Sequence, residues 1–235
     1  MGHLKAACSP SSELADVIPG EEVVMIRCLD IHTHHPAPQP LAVISVGVDD
    51  FNPLEGQMYS LGIHPWLTTQ SVTPETWAKF EELAALPSVV AIGECGIDKL
   101  KGGLLYKQLI VLQRQIEISE KLAKPLILHD VKAHDVIVGL KRDLNPKQKW
   151  LVHGFRYKPT VARMMTDAGI FLSFGESFNA DSLKGTPKNL ILAETDESTL
   201  TIQEIIANLG NSLGMGDQDI MNLIAENTNN FLFGE

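Results

Sequence analysis

The sequence predicts an α/β protein, a TIM-like (β/α)8 barrel formed by a single domain. Three observations support this prediction. Eight short apolar runs rich in β-branched residues recur along the 235 residues, the longer separations show the period of amphipathic helices, and metal-ligand residue types follow several runs. Strands that alternate with helices are typical of parallel sheets, and eight such units close into a barrel.

The apolar runs define the predicted strands in chain order. We assign them to residues 24–31, 41–48, 58–63, 89–93, 125–128, 150–152, 169–174 and 190–193. Helical periodicity fills the four separations between the third and seventh runs, and two more helical segments follow the eighth run. The predicted helices cover residues 74–86, 103–123, 133–144, 160–168, 201–213 and 217–231.

The first two connections differ from the others. Residues 33–40 are rich in proline and residues 49–57 are few, so neither connection has room for the usual crossover helix. We therefore expect reduced helices after the first two strands. Residues 1–22 are predicted to be a flexible lead-in to one domain of residues 23–235.

The composition argues against several classes of protein. Hydrophobic residues make up 44% and charged residues 20%, which disfavours disorder, and no apolar run approaches the roughly 18 residues that span a bilayer. The 19 basic and 29 acidic residues give a formal charge of −10, which disfavours a broad electropositive surface for nucleic acid. Any phosphate-bearing partner must therefore be held locally, and no membrane partner is expected.

The three cysteines, Cys8, Cys28 and Cys95, are odd in number and show no CxxC spacing. A disulfide framework or a structural zinc knot is not expected, and a reducing compartment such as the cytoplasm fits this pattern. Cys95 adjoins Glu94, and because alternate strand residues face opposite ways, we interpret Cys95 as a packing residue. The oligomeric state stays open, with a monomer favoured.

The segment Asp30-Ile31-His32-Thr33-His34 leaves the end of the first run. Because strand side chains alternate, Asp30, His32 and His34 are predicted to point the same way, and two imidazoles on one face can chelate one ion. Two surface histidines beside a turn are the plainer alternative. Their position favours the metal site, since barrel enzymes carry catalytic groups at the carboxyl ends of their strands.

Four other runs end in residues of the same kind. Glu94, His129 and His153 follow the fourth, fifth and sixth runs, and Asp196 lies just beyond the eighth. Each residue singly is more typical of a cap or a core position, but repetition at equivalent strand ends predicts one cluster. Charged and imidazole groups crowded in this way are costly unless they coordinate cations.

With these motifs the sequence resembles the TatD-type deoxyribonucleases, metal-dependent hydrolases among the amidohydrolase-like barrels. The resemblance runs from Cys28 to Phe233 and rests on six motifs in order. The motifs are Asp30-Ile31-His32-Thr33-His34, Gly62-Ile63-His64-Pro65, Ile92-Gly93-Glu94-Cys95-Gly96-Ile97-Asp98, Pro125-Leu126-Ile127-Leu128-His129, His153-Gly154-Phe155 and Glu194-Thr195-Asp196.

The resemblance implies a centre of two divalent metal ions. The implied ligands are His32, His34 and Asp196 for one ion, His129 and His153 for the other, and Glu94 as the bridge. A carboxylate can span two cations about 3.5–4 Å apart, and bound cations lower the pKa of a coordinated water. Glu94 and Asp196 are therefore the predicted catalytic residues, with Asp196 accepting the proton of the water.

His64 lies in the second motif and is not an implied ligand. In the resembling family this position faces the substrate, whereas the alternative is a histidine that ties down the turn before Pro65. We favour the substrate role.

Departures from the family pattern concern the substrate side. The family usually carries arginine two residues after the position of His129, where this sequence has Val131 followed by Lys132. In the family, small residues usually follow the motif that matches His153-Gly154-Phe155. Here those positions are Arg156 and Tyr157. Tyr157 offers a ring on which a base can stack. Lys132, Arg156 and Tyr157 are the candidate substrate contacts. A solvated Tyr157 is an equal alternative.

Beyond Asp196 the family typically has a long basic loop, which is replaced here by Glu197-Ser198-Thr199 and a helix. The first functional hypothesis is phosphodiester hydrolysis on DNA or another nucleotide. The missing loop keeps open ester or amide hydrolysis, such as deacylation, because the same activated water attacks a carbonyl carbon. A metal-binding protein without catalysis would require blocked metal positions.

Four histidines favour zinc or manganese over magnesium by ligand softness, and the resemblance keeps magnesium open.

The remaining polar residues of interest are weaker candidates. His3, His35 and His134 lie off the strand-end pattern and are interpreted as surface residues, although His35 could shield the site. The lysines and the arginine near the predicted site could form a small basic rim, and an ordinary solvated surface explains them equally well. These are Lys99, Lys101, Lys132, Arg156 and Lys158.

Overall fold

A computed structural model of the protein describes residues 28–35 and 42–234. Its eight strands pair in parallel and in chain order. They are β1 (Asp30–Thr33), β2 (Ala42–Val46), β3 (Met58–Leu61), β4 (Val89–Asp98), β5 (Leu126–Val131), β6 (Trp150–Val152), β7 (Ile170–Phe174) and β8 (Ile191–Ala193). A bridge between Thr33 and Asp196 brings the end of β1 beside the segment after β8, so the sheet curls into a nearly closed ring. The predicted (β/α)8 barrel is confirmed.

Helices separate most of the strands, as the periodicity predicts. They are α1 (Pro74–Ala84), α2 (Leu105–Leu122), α3 (His134–Leu144), α4 (Pro159–Asp167), α5 (Ala180–Gly185), α6 (Ile202–Leu213) and α7 (Asp217–Phe233), with 3₁₀ helices at Pro65–Thr69 and Lys188–Leu190. The six predicted helices lie within two residues of their expected bounds. The sequence analysis missed α5 because six residues are too few to show a helical period.

The connection between β2 and β3 contains no helix, as predicted for the thin side of the barrel. Residues 47–57, all of which the structure describes, form only turns and extended backbone. The predicted first connection lies partly outside the described residues, as do His3, Cys8 and the lead-in of residues 1–22.

Three strands extend further at their carboxyl ends than predicted, and the difference bears on the site. The first, β1, continues to Thr33, and residues 24–27 of its predicted run lie outside the described residues. β4 continues to Asp98 and β5 to Val131, so Glu94 and His129 lie within strands rather than after them. Pairing of Gly96 with His129 continues the ladder between the two strands. A Cβ at Gly96, whose φ is +146°, would collide with the backbone of His129, so the close approach requires glycine.

The interior of the barrel is filled by apolar side chains. Seven strands contribute one buried residue each to a single cluster, and Met58 of β3 packs against it. The seven are Ile31, Val43, Ala91, Ile127, Leu151, Phe171 and Leu192. Side chains from this many strands meet only inside the ring, so the barrel is a packed core rather than a pore. Polar chemistry is therefore confined to the end beyond this cluster.

Candidate metal centre

Four of the predicted ligands, all histidines, surround a fifth, the buried carboxylate of Glu94. On its Oε1 side lie His129 Nδ1 at 2.6 Å and His153 Nε2 at 2.7 Å. On its Oε2 side lie His34 Nε2 at 3.5 Å and His32 Nε2 at 3.6 Å. His64 Nε2 also lies 3.0 Å from Oε1, so the two oxygens of one carboxylate face two different groups of imidazoles.

Asp196 completes the group on the Oε2 side. Its Oδ1 lies 3.6 Å from His34 Nε2 and 3.8 Å from His32 Nε2. Backbone hydrogen bonds set this geometry, since Asp196 N donates to His32 O at 2.9 Å and His34 N donates to Asp196 O at 3.1 Å. Closure of the ring between β1 and β8 thus brings together ligand residues that are far apart in sequence.

Asp30 does not join the cluster, contrary to the prediction that it points the same way as His32 and His34. Its carboxylate accepts hydrogen bonds from Thr195 N at 3.0 Å and Thr195 Oγ1 at 2.7 Å. The register of β1 against β2 shifts between Asp30 and Thr33, which breaks the simple alternation of faces. These two hydrogen bonds to Asp30 instead hold Thr195, the residue before Asp196, in place.

The side chains fit a metal centre by their chemistry and by their unmet hydrogen bonds. Both ring nitrogens of His32 are buried without a hydrogen-bond partner among the described residues, and so is Nδ1 of His153. Buried polar atoms of this kind are rarely left unpaired in folded proteins. Three overlapping groups could each hold an ion by the spacing of their ligand atoms, and they are His32, His34 and Glu94; His32, His153 and Asp196; and His64, Glu94 and His129. Imidazole and carboxylate are also the ligands preferred by zinc and manganese.

The electrostatics of the cluster agree with this fit. Burial by itself raises the pKa of Glu94, but the neighbouring charge of His153 and hydrogen bonds from histidines lower it well below its usual value. Burial lowers the pKa of His153, but the carboxylates of Glu94 and Glu194 raise it well above its usual value. Burial, with the charge of His153, lowers the pKa of His32. The cluster therefore favours the anionic form of Glu94 and the protonated form of His153. A cation bound at these residues would take the place of that proton.

Carboxylates that the sequence analysis did not single out stand behind two of the histidines. Asp98 Oδ2 lies 3.4 Å from His129 Nε2, and Glu194 Oε1 lies 3.8 Å from His153 Nδ1. Glu194 is also bonded by Ser173 Oγ and by Gly154 N, the latter at 2.5 Å. Carboxylates in this position commonly orient ligand histidines. Both residues lie inside the recognised motifs, but only contacts between strands reveal what they touch.

His64 is held by the turn that it begins. It is the N-cap of the 3₁₀ helix Pro65–Thr69, and its Nδ1 accepts the backbone N–H of Trp66 at 3.2 Å. When the ring is neutral, this hydrogen bond leaves the proton on Nε2, which lies 3.0 Å from Glu94 Oε1. In its neutral form the His64 ring therefore presents an N–H donor to the centre of the cluster. It does not present the lone pair that would bind an ion. The same ring therefore ties down the turn and contacts Glu94, and its substrate role stays a prediction.

A cleft of about 1110 Å³ opens above the cluster, lined in part by the predicted substrate contacts. Lys132 and Arg156 are exposed in its wall, and Tyr157 is half-buried. The hydroxyl of Tyr157 donates to Asp130 O at 2.8 Å and accepts the backbone N–H of Lys132 at 3.0 Å. Tyr157 is thus fixed to the loop after β5, and its ring is not the freely solvated side chain of the alternative.

Two buried glutamines on α2 position the ends of neighbouring strands. Gln115 bonds Ile63, the residue before His64, through Ile63 N at 2.8 Å and Ile63 O at 3.1 Å. Gln108 bonds Asp98 in the same way, at 2.8 Å to its N and 2.9 Å to its O. The glutamines are seven residues apart and share the buried face of the helix. Polar residues repeated at that spacing on an apolar helix face were the signal available in the sequence.

The weaker candidates lie outside the cluster. Cys95 is buried with its Sγ 3.7 Å from Ile127 O, and burial raises its thiol pKa, which leaves it a packing residue. His134 lies with Nδ1 3.7 Å from Asp130 Oδ2. His35 Nε2 lies 2.7 Å from Ser198 O and ties β1 to the loop after β8.

The fold and the cluster define the chain as an α/β barrel with a group of histidines and carboxylates that could hold metal ions at the carboxyl ends of its strands. The family model described as TatD related DNase matches residues 53–230. The chain belongs to the TatD related DNase family.

Individual proteins resemble the chain in parts of their length. The uncharacterized metal-dependent hydrolase TatD of Mycobacterium tuberculosis is 27% identical over 155 residues, which cover 60% of this chain and 58% of that protein. The 3'-5' ssDNA/RNA exonuclease TatD of Erwinia billingiae is 39% identical over 75 residues, 32% of this chain and 28% of that protein. The chain thus spans less than two thirds of these curated relatives.

The architecture matches a solved structure more completely. The TatD homolog YJJV of Escherichia coli superposes with a TM-score of 0.76 over 88% of this chain and 98% of that chain, at 19% identity. This likeness establishes the fold. Among the described residues, no helix combines the length and apolar character needed to cross a membrane.

Proposed function

We propose that the chain is a monomeric hydrolase that cleaves phosphodiester bonds of DNA or another nucleotide substrate with two divalent metal ions. One observation carries the proposal: the two oxygens of the buried Glu94 carboxylate face separate groups of histidines, with His129, His153 and His64 on the Oε1 side and His32 and His34 on the Oε2 side. A carboxylate with ligands on both sides is the geometry of a bridge between two cations.

These distances are compatible with the proposed ligand assignment. The proposed ligands form two groups, one on each side of Glu94. His32, His34 and Asp196 form one group, and His129 and His153 form the other. Imidazole nitrogens favour zinc or manganese, and the carboxylates also accept magnesium. Bound at these residues, the ions would lower the pKa of a water molecule and polarise a phosphoryl oxygen.

Asp196 is the proposed general base. It is partly exposed to the cleft, and burial, helped by the negative charge of Glu194 and opposed by the charge of His153, raises its pKa above the usual carboxyl value. A carboxylate of raised pKa is the better proton acceptor at neutral pH. In the hydrolysis, the water oxygen would add to phosphorus while Asp196 takes one of the water protons, and the bond to the leaving oxygen would break as that oxygen takes a proton from solvent water.

Four side chains around the cleft are the proposed substrate contacts. His64 would donate from Nε2 to a phosphate oxygen, and Lys132 and Arg156 supply positive charge from the wall. Tyr157 supplies the edge of a ring beside them, fixed by its hydroxyl. These contacts are local, which agrees with a net charge of −10 that gives no broad attraction for nucleic acid.

The names of similar proteins support the phosphodiester over other ester bonds, since the Erwinia billingiae protein is named a 3'-5' ssDNA/RNA exonuclease. One observation favours the second candidate, hydrolysis of an ester or amide. Residues 197–201, the short loop beyond Asp196, contain no lysine or arginine to clamp a phosphate. An acyl substrate needs no such clamp, because the water attacks a neutral carbonyl carbon.

A metal-resolved substrate panel tests the proposal. Protein stripped with a chelator is reloaded separately with zinc, manganese or magnesium, and metal per chain is measured beside turnover. The panel contains a single-stranded oligonucleotide, a nitrophenyl phosphodiester, a nitrophenyl ester and an N-acetylated amino acid. We expect two ions per chain and turnover of the phosphodiesters. Turnover of acyl substrates alone would favour the second candidate, and metal binding without turnover would mean a non-catalytic protein.

A further inference from the structure

The most exposed apolar side chains of the protein are concentrated in one region. Five of the seven large hydrophobic residues that are more than half exposed in the described part of the chain lie in the 3₁₀ helix after His64, the loop after β4 and the first two turns of α2. Single exposed leucines are ordinary, whereas a group of them marks a surface that binds something. We name this group the apolar patch, and it consists of Leu67, Leu100, Leu104, Tyr106 and Ile110.

The segments that carry the patch are packed against each other. A Cβ at Gly103 would collide with the backbone oxygen of Thr68, so the loop after β4 approaches the 3₁₀ helix as closely as only glycine permits. Gly103 N donates to Thr68 Oγ1 at 3.2 Å, and the buried Gln108 donates from Nε2 to Gly103 O at 2.8 Å. Leu100 and Leu104 are therefore presented to solvent by a loop with defined backbone contacts.

Positive charge accompanies the patch, although the chain as a whole is acidic. Residues 99–116 contain three lysines, one arginine and no acidic residue, against a formal charge of −10 for the whole chain. Two of these cations form ion pairs with carboxylates. Among the described residues Lys101 and Lys107 have no carboxylate partner, since Lys101 Nζ lies 3.1 Å from the centre of the Trp66 ring and Lys107 Nζ donates to Thr69 O at 3.1 Å. Charges further away than about 8 Å are largely screened, so these lysines dominate the charge that a surface in contact with the patch would meet.

The chemistry of the patch favours a lipid surface over two other occupants. Four of its five side chains are leucine or isoleucine, which offer no ring on which a nucleic acid base stacks. A second copy of the chain, joined through a twofold axis, would bring the same lysines face to face. Exposed aliphatic side chains edged by lysine, tryptophan and tyrosine instead suit the boundary between the headgroups and the acyl chains of a bilayer. Lysines at that boundary are attracted to anionic headgroups.

We propose that the apolar patch docks the protein on an anionic lipid surface. Its leucines and Ile110 enter the edge of the acyl chains, Tyr106 and Trp66 lie at the level of the headgroups, and Lys101 and Lys107 contact the anionic groups. The expectation of no membrane partner rests on the lack of an apolar run that could span a bilayer, which docking at the surface does not require. The proposal is independent of the reaction at the metal centre.

Flotation of the metal-loaded full chain with vesicles, without free divalent ions, tests the proposal. Vesicles of phosphatidylcholine with roughly one third phosphatidylserine should carry the protein upward, and phosphatidylcholine alone should bind it at least about tenfold more weakly. Leu100→Ser/Leu104→Ser should weaken binding to the anionic vesicles about a hundredfold, because each leucine moved from water into acyl chains contributes roughly tenfold. Leu104 is the N-cap of α2, a position where serine is favoured, so the helix should be retained.

The charged part of the patch is tested separately. Lys101→Gln/Lys107→Gln should weaken binding to the anionic vesicles roughly tenfold or more, since each lysine near an anionic surface contributes about fivefold. The same pair should leave the weak binding to phosphatidylcholine alone unchanged. An unchanged preference for anionic vesicles in this variant would overturn the assigned role of the lysines and with it the proposal.

A matched control makes the same chemical change outside the patch. Leu54→Ser/Leu144→Ser replaces two exposed leucines, one in the loop after β2 and one at the C-terminal end of α3. This variant should bind the anionic vesicles like wild type. Melting curves of all variants verify folding.

Other results would overturn the proposal and identify the alternative. Absence of wild-type binding to the anionic vesicles would overturn it, as would an equal loss of binding in folded Leu54→Ser/Leu144→Ser. Without vesicle binding, a wild-type dimer that Leu100→Ser/Leu104→Ser abolishes in sedimentation would assign the patch to a second copy of the chain. Without vesicle binding, weaker binding of a single-stranded oligonucleotide by the same variant would assign it to nucleic acid.

Discussion

Asp98 lies behind His129, with Asp98 Oδ2 3.4 Å from His129 Nε2, while the other ring nitrogen of His129 is 2.6 Å from Glu94 Oε1. The same Asp98 oxygen accepts the indole N–H of Trp66 at 2.7 Å. Its second oxygen accepts the backbone N–H groups of Leu100 and Lys101. Asp98 therefore sets which nitrogen of His129 faces the metal centre.

Asp98→Asn should weaken metal binding about 10- to 100-fold, the usual effect of losing a carboxylate that orients a ligand histidine. The asparagine amide would turn an N–H₂ group toward either the Trp66 and His129 donors or the two backbone donors, so one hydrogen-bonding side is lost. Calorimetric titration of the chelated protein with zinc measures the change. Asp135→Asn, which alters an exposed pair with Lys99, is the control and should bind zinc normally. Unchanged affinity in Asp98→Asn would remove its positioning role.

Asp196→Asn should lower turnover on the order of a hundredfold or more, the scale for removing a positioned general base. Asparagine has a similar shape and retains one oxygen, so the fold and most of the bound metal should remain. Activity per metal-loaded chain, measured beside a melting curve, separates this from a structural effect. Glu197→Gln, at the adjacent exposed position, should keep activity on short substrates. Near-normal turnover in Asp196→Asn would leave Glu94 and the ions to generate hydroxide unaided.

His64→Asn separates the substrate role of His64 from a ligand role. Asparagine is a good N-cap and should preserve the turn at Pro65–Thr69, but its side chain is too short to reach the centre. We expect kcat/KM to fall roughly 10- to 100-fold, the value of a hydrogen bond to a charged group, with metal content unchanged. His64→Ala should add about 1 kcal/mol of lost stability from the missing cap. Loss of one ion per chain in His64→Asn would instead make His64 a ligand.

Gln115→Leu should destabilise the protein by about 2–4 kcal/mol, because the buried N–H and C=O of Ile63 both lose their partner. Urea denaturation of the metal-free protein measures the free energy of unfolding. Gln113→Leu makes the same chemical change at an exposed position of the same helix and should stay within about 0.5 kcal/mol of wild type. Equal stability of the two variants would show that the strand end before His64 does not depend on Gln115.

Much of the fold is predictable from local patterns. The apolar runs and the helical periods follow from side-chain alternation and helix pitch, which are properties of neighbouring residues. The bounds of α3 and α4 accordingly differ from prediction by one residue at most at each end. The short α5 and the 3₁₀ helix after His64 escaped prediction because too few residues are involved for a period to appear.

The sequence by itself determined the order of the strands and the residue types at their ends, because equivalent positions in a parallel barrel share one rim. Tertiary structure alone decided how those side chains face each other. A register shift in β1 turned Asp30 toward Thr195, a backbone N–H assigned the free proton of His64 to Nε2, and pairing across β4 and β5 set Asp98 behind His129. Each depends on contacts between distant segments, and no local period encodes the distance between two atoms from different strands.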